Sequence, residues 1–211
     1  INSTFINNSA RSGGATYFYN KLTNVTLTGR FIDNTAFAGN NYEGGGANYF
    51  CGVLDNVNIS GDFIDNTITN HGNYVGGGVN YFRGESNNVA ISGNFIKNYA
   101  PSGGVNYFNG PSANISLTGN YRSNTANFGS ASFFYSSVTG VEISGVFIGN
   151  DADNIIYISN PDSGNIIIHD SVVFDRAPYW EIIKDSSESA QIIDNWFGNT
   201  ADNYTDTPMI Y

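Results

Sequence analysis

The stretch GGVNYFRGESNNVAISGNFIKN, residues 77–98, holds three short patterns in a fixed order. Gly77-Gly-Val-Asn-Tyr-Phe82 comes first, then Val89-Ala-Ile-Ser-Gly93 with apolar residues at every second position, then Phe95-Ile-Lys-Asn98. An alternation of period two describes a strand, and glycine, asparagine or serine interrupts each run before a helical period can develop.

Working outward, the same patterns recur along most of the chain. Phe5/Asn8, Phe31/Asn34, Phe63/Asn66, Phe95/Asn98, Tyr121/Asn124 and Phe147/Asn150 repeat the third pattern. The glycine pattern stands at residues 13–18, 45–50, 77–82 and 103–108, with a degraded copy at 129–134. The alternating pattern begins at Val25, Val57, Val89, Ile115 and Val141, each ending in glycine four residues on. From Val or Ile to the next Phe or Tyr is six residues in every full copy, and from the preceding Phe seven. Only the stretch from the Asn to the next Ala or Val varies, at seven or thirteen residues, so the unit is 26 or 32 residues long.

A repeat of this length with three strand-like segments and no helical period predicts an all-β coil. It reads as a right-handed single-stranded parallel β-helix of about seven rungs, three strands per rung, with copies stacked about 4.8 Å apart. One rung cannot enclose its own apolar face, so stability comes from neighbour stacking on neighbour. Asn8, Asn34, Asn66, Asn98, Asn124 and Asn150 are expected at a corner as a structural ladder of side-chain amides. Gly29, Gly61, Gly93, Gly119 and Gly145 are expected to mark the next turn, with positive φ.

Composition narrows the function. The 211 residues include 32 asparagines and 25 glycines, and charged residues make up only 12%. A net charge of −10 with eight scattered Lys and Arg does not make a phosphate-binding surface, so no nucleic-acid partner is expected. No apolar run is long enough to span a membrane as a helix. Cys51 has no second cysteine to pair with and reads as a buried thiol.

Residues 1–211 read as one β-helix domain, with regular repeats over 1–150, divergent final rungs and a cap over 151–200, and an exit segment over 201–211. The apolar pieces 155–158, 166–174, 180–183 and 191–193 keep the period, Ile166 lying 25 residues beyond Val141 and Ile192 a further 26 on. Asn195-Trp-Phe-Gly-Asn199, with Pro208 beyond it, fits a cap. Ile1-Asn-Ser-Thr-Phe5 aligns with the middle of a strand, which reads as a piece of a longer repeat array.

Phe-x-x-Asn alternating with Gly-Gly-Ala-x-x is similar to the paired motifs of chlamydial polymorphic membrane proteins. Gly44-Gly-Gly-Ala-Asn-Tyr-Phe50, Ile91-Ser-Gly-Asn-Phe-Ile-Lys-Asn98 and Asn195-Trp-Phe-Gly-Asn-Thr200 resemble more closely the adhesin-like surface proteins of gut methanogenic archaea. The resemblance covers residues 1 to about 200. It implies a pectate-lyase-like β-helix at the cell surface, extracellular, attaching to a glycan or protein of another cell without catalysis. Fold alone does not carry function, and the motifs are structural.

The residues offer few sites. The two six-residue insertions fall on neighbouring rungs, within 37–44 and 69–76, and share an Asn-Tyr-x-Gly-Gly-Gly ending. Stacked, they form one protrusion bearing Asn41, Tyr42, Glu43, His71, Asn73 and Tyr74, the expected binding residues, since solenoids gather insertions on a binding face. Tyr17, Tyr49, Tyr81, Tyr107 and Phe133 share one slot, and Phe18, Phe50, Phe82, Phe108 and Phe134 the next. Adjacent strand residues point to opposite faces, so either one column is an exposed aromatic ladder or both are enclosed at a bend.

A carbohydrate-active enzyme is the rival reading and a non-binding stalk the third. Asp33 and Asp65 stack in one slot, but Asn7, Lys97, Ser123 and Gly149 continue that column, the mark of a solvated face. The motifs of polygalacturonase-like enzymes are absent from the sequence, so no catalytic residue is assigned. Asp151, Asp153, Asp162, Asp170 and Asp175 would suit at most weakly bound calcium, and His71 and His169 lack a partner at zinc spacing. No cofactor or resident metal is expected, and the segment is expected to be monomeric. Sequons for N-glycosylation begin at Asn2, Asn7, Asn24, Asn58, Asn114 and Asn203.

Overall fold

The structure, a computed structural model, describes residues 1–39, 43–69, 75–160, 164–174, 190–192 and 196–197. These residues contain strands and no helix, and every strand pair is parallel. Three sheets run the length of a parallel β-helix. The long sheet stacks Asn2–Ile6, Leu22–Ile32, Leu54–Ile64, Ser86–Ile96, Ser112–Arg122, Val138–Ile148 and Gly164–Phe174, with Ala190–Ile192 and Trp196–Phe197 both on the last. A six-stranded sheet stacks Thr16–Phe18, Asn48–Phe50, Asn80–Phe82, Asn106–Phe108, Ser132–Phe134 and Ile156–Ile158. The third joins Ser9–Ala10, Thr35–Ala36 and Thr67–Ile68, and single bridges carry it on through Tyr99, Thr125 and Asp151.

The register is that of the repeat. Val25 lies opposite Val57, Leu27 opposite Ile59 and Phe31 opposite Phe63, and the later rungs follow suit. Alternate residues of the long strands turn inward, so Leu27, Ile59, Ile91 and Leu117 share a core with the Phe50, Phe82, Phe108 and Phe134 column. Phe31, Phe63, Phe95 and Tyr121 stack in the same core, Phe31 on Phe63 at 5.0 Å between ring centroids. At the divergent end Val141 lies opposite Ile166, as the 25-residue interval predicts, and an irregularity after Ile143 restores 26 at Gly145 and Ser171. Ile192 departs from expectation: it pairs with Ile168, and Ala190 takes the place opposite Ile166.

The glycine column is not a turn. Gly61 sits inside the 11-residue strand Leu54–Ile64 with φ 140°, and the ladder runs through it. A Cβ there would lie 1.9 Å from the Gly29 carbonyl oxygen of the preceding rung, so glycine lets the strand bend without leaving its sheet. The chain turns four residues later, where Asn7, Asp33, Asp65, Lys97 and Ser123 adopt φ of 53–56° immediately before the ladder asparagines.

That ladder forms as expected. Asn34, Asn66, Asn98, Asn124 and Asn150 are fully buried, and each Nδ2 from Asn8 to Asn124 donates to the Oδ1 one rung on, at 2.9–3.0 Å. The amide also donates back to a carbonyl, as Asn66 does to Phe31 at 2.8 Å. Two further ladders were not anticipated from the sequence. Thr16, Asn48, Asn80, Asn106 and Ser132 form one inside the six-stranded sheet. The other, on an exposed edge, is interrupted: Asn56 donates to Asn24 and Asn114 to Asn88, all four with φ of 53–56°, while Asn88 donates to Asp55.

Candidate functional site

Both insertions leave the third sheet and rejoin the rung at Gly44 and Gly76, which bridge to one another, with Gly76 bridging on to Ser102. Asn41, Tyr42, His71, Asn73 and Tyr74 lie outside the described residues, as do Asn203 among the sequons and Asp162 and Asp175 among the acids. Of the expected binding residues, Glu43 is the one the structure places, at the base of the first insertion. Its Oε2 accepts the Gly39 backbone N–H at 2.6 Å, and its Oε1 lies 2.7 Å from Arg11 Nε of the preceding rung. One carboxylate thus ties the two ends of the insertion together and to the preceding rung. A small apolar plug lies beneath: Ala36, Ala38, Ile68, Val75 and Ala100 are all fully buried. Phe37, at the start of the first insertion, is exposed. The insertions therefore spring from a packed, hydrogen-bonded base.

The two aromatic columns do point to opposite faces, but neither is an exposed ladder. Tyr49, Tyr81, Tyr107 and Phe133 face away from the main core and form a cluster of their own, nearly parallel and 4.9–5.1 Å apart. Glycine-rich backbone encloses them: a Cβ on Gly44 would come within 2.7 Å of the Tyr81 ring, and one on Gly76 within 2.2 Å of Tyr107. Only Tyr17, on the first rung, is half exposed. The first glycine of each Gly-Gly-Gly ending therefore lies against a tyrosine ring, while the second takes a positive φ and the third abuts backbone of the next rung.

Beside this column runs a second one on the same face, Cys51, Arg83, Asn109 and Tyr135, each backbone N–H donating to the rung before. Cys51 is half-buried, not buried as expected. Its Sγ lies 3.9 Å from an Arg83 guanidinium nitrogen, and the Tyr17 and Tyr49 hydroxyls join the same contact. Burial pushes the Tyr49 phenol up to about 12, Arg83 acting in the opposite direction. Sequence reasoning treated Arg83 as one scattered cation. The signal was its place two residues after the tyrosine column.

Asp33 and Asp65 lie at the exposed left-handed corner, in one column with Lys97 and Ser123, as a solvated face requires. Among the sequons, Asn2, Asn7 and Asn58 are exposed, Asn24 accepts from Asn56, and Asn114 donates to Asn88 at 3.1 Å. Among the described residues no group of three or more His, Cys, Asp or Glu is placed to hold a metal ion, and no helix is long and apolar enough to cross a membrane.

No protein-family model matches the chain, and neither a curated protein nor a solved structure matches it significantly. What defines the molecule is its architecture, a parallel β-helix with two anchored insertions on adjacent rungs.

Proposed function

We propose that this chain is a binding segment of an extracellular cell-surface adhesin, holding a glycan or protein of another cell against its flank. The observation that carries the reading is the base of the insertions. Two adjacent rungs depart from the 26-residue unit, and Glu43 fastens the first departure to Arg11 and Gly39. A fixed root holds the first insertion at one place on the flank. The stacked rungs beneath supply a stiff support, because each strand is paired with the next rung in register. Contact spread along such a flank, not a deep pocket, is the mechanism.

The experiment is a deletion. Removing residues 37–42 and 69–74 converts both rungs to the 26-residue unit. It also takes Ala38 out of the buried plug, so circular dichroism and thermal unfolding check that the trimmed chain folds. Labelled protein, with and without calcium, is applied to intact microbial and host cells and to a glycan panel. Binding by the parent and its loss on trimming support the reading; equal binding by both places recognition elsewhere. A folded parent that binds nothing is a stalk.

A further inference from the structure

We propose that the outer face of the six-stranded sheet carries a second binding site, for the carboxylate of an acidic sugar, with Arg83 as its anion clamp and Tyr17 and Tyr19 as its aromatic wall. The site rests on the adhesin reading and gives it a ligand class, at a place other than the insertions.

Arg83 is exposed, and among the described residues no carboxylate lies within 4.0 Å of it. Arg11, Lys21 and Arg30 face Glu43, Asp55 and Asp62. Exposed Lys97 and Arg122 also lack a carboxylate within 4.0 Å among the described residues, and Arg83 differs from them in its contact with Cys51. Glu85, two residues from Arg83, is turned to Asn87, whose Nδ2 donates to it at 2.8 Å. The contacts of Arg83 are the Tyr49 hydroxyl and Cys51 Sγ. A tyrosine hydroxyl is neutral at ordinary pH, so the Tyr49 contact holds the guanidinium without cancelling its charge. A positioned, uncompensated guanidinium takes a carboxylate through paired N–H donors.

The neighbours select a sugar. Tyr17, whose hydroxyl meets Cys51, is 50% exposed, and Tyr19, in the first-rung place of the Cys51 and Arg83 column, is 72% exposed, large amphipathic rings suited to the apolar face of a pyranose and to its hydroxyls. An acidic peptide has less to use. The backbone amides of Cys51, Arg83 and Asn109 already donate to Phe18, Phe50 and Phe82, so no strand can be added there. The chain's net charge of −10 opposes anions at long range, but that field is screened beyond about 10 Å at 0.1 M salt.

The test is titration of the whole chain at about 0.1 M salt with trigalacturonate, its methyl ester, a sulfated neutral trisaccharide and a short polyglutamate. Trigalacturonate should bind saturably and the ester at least about tenfold more weakly, the worth of one charge-assisted contact. Arg83→Gln and Tyr19→Ala should each lose about tenfold or more with unchanged thermal unfolding, and Arg83→Lys should lose less than Arg83→Gln. Equal binding of the ester, tighter binding of the sulfated sugar or polyglutamate, unchanged binding by Arg83→Gln, or no binding at all overturns the site. Absent trigalacturonate binding with cell binding that is lost on trimming the insertions removes this site and leaves the adhesin reading. Trigalacturonate binding without cell binding does the reverse.

Discussion

Asn98 Oδ1 accepts two hydrogen bonds from Asn66, one from the backbone N–H and one from the side-chain amide, each 3.0 Å long. Both residues are fully buried, and the arrangement repeats from rung to rung. The ladder therefore joins rungs through side chains where the chain turns and the sheet hydrogen bonds lapse. Asn98→Ala would leave two Asn66 donors without their acceptor and remove the amide donor from the Phe63 carbonyl, while Asn124 Oδ1 keeps only the backbone N–H of residue 98. A loss of about 2–4 kcal/mol is expected, read as a lower urea midpoint. Asn98→Asp keeps the acceptor but buries a charge opposite Asn124 Oδ1, and should cost at least as much.

Tyr121 occupies a slot filled by phenylalanine on the other rungs, stacked between Phe95 and Phe147. Its hydroxyl is buried without a partner. Tyr121→Phe should stabilise the protein by roughly 1–3 kcal/mol, the cost of an unpaired buried polar group. Calorimetry of the two proteins should show a higher Tm for the variant; an unchanged or lower Tm would show that the hydroxyl is satisfied.

Gly61→Ala brings a Cβ to 1.9 Å from a backbone oxygen and imposes φ 140° on an L-residue. Neither atom can move without breaking the ladder between Gly29 and Gly61. The variant should lose more than about 4 kcal/mol and give little folded protein at 25 °C. Parent-like yield and circular dichroism would contradict the observed packing.

Alkaline pH should unfold the protein. The Tyr49 phenol is held at about 12 in the folded chain, against an unfolded value of 10.0. Between those values the folded state binds more protons, so the contribution of this residue is full below pH 10 and is lost as pH rises toward 12. Burial shifts Tyr121 upward too, adding to the same slope. Urea midpoints at pH 8, 10 and 11.5 check this, and Tyr49→Phe should flatten the decline.

Much of the fold was legible because its spacing is literal. Six residues from Val89 to Phe95 and seven from Phe82 to Val89 recur without drift, and a stack that pairs like with like must preserve them. The Asn66 ladder was readable for the same reason. Gly61 was misplaced at a turn because a positive φ also serves a bend inside a strand. The enclosure of Tyr81 was hidden because its cover is glycine backbone, which leaves no apolar signature. The Asn48–Asn80–Asn106 ladder was overlooked because its slot mixes Thr, Asn and Ser. The site was less legible. Insertion lengths marked the candidate, but nothing in the spacing showed that Glu43 would turn back to Arg11 and Gly39.

The most direct measurement is saturation binding of labelled protein to intact cells, competed by unlabelled parent and by the chain lacking residues 37–42 and 69–74. The account predicts saturable binding that the parent displaces and the trimmed, folded chain does not. A linear, non-displaceable signal, or equal displacement by the trimmed chain, would contradict it.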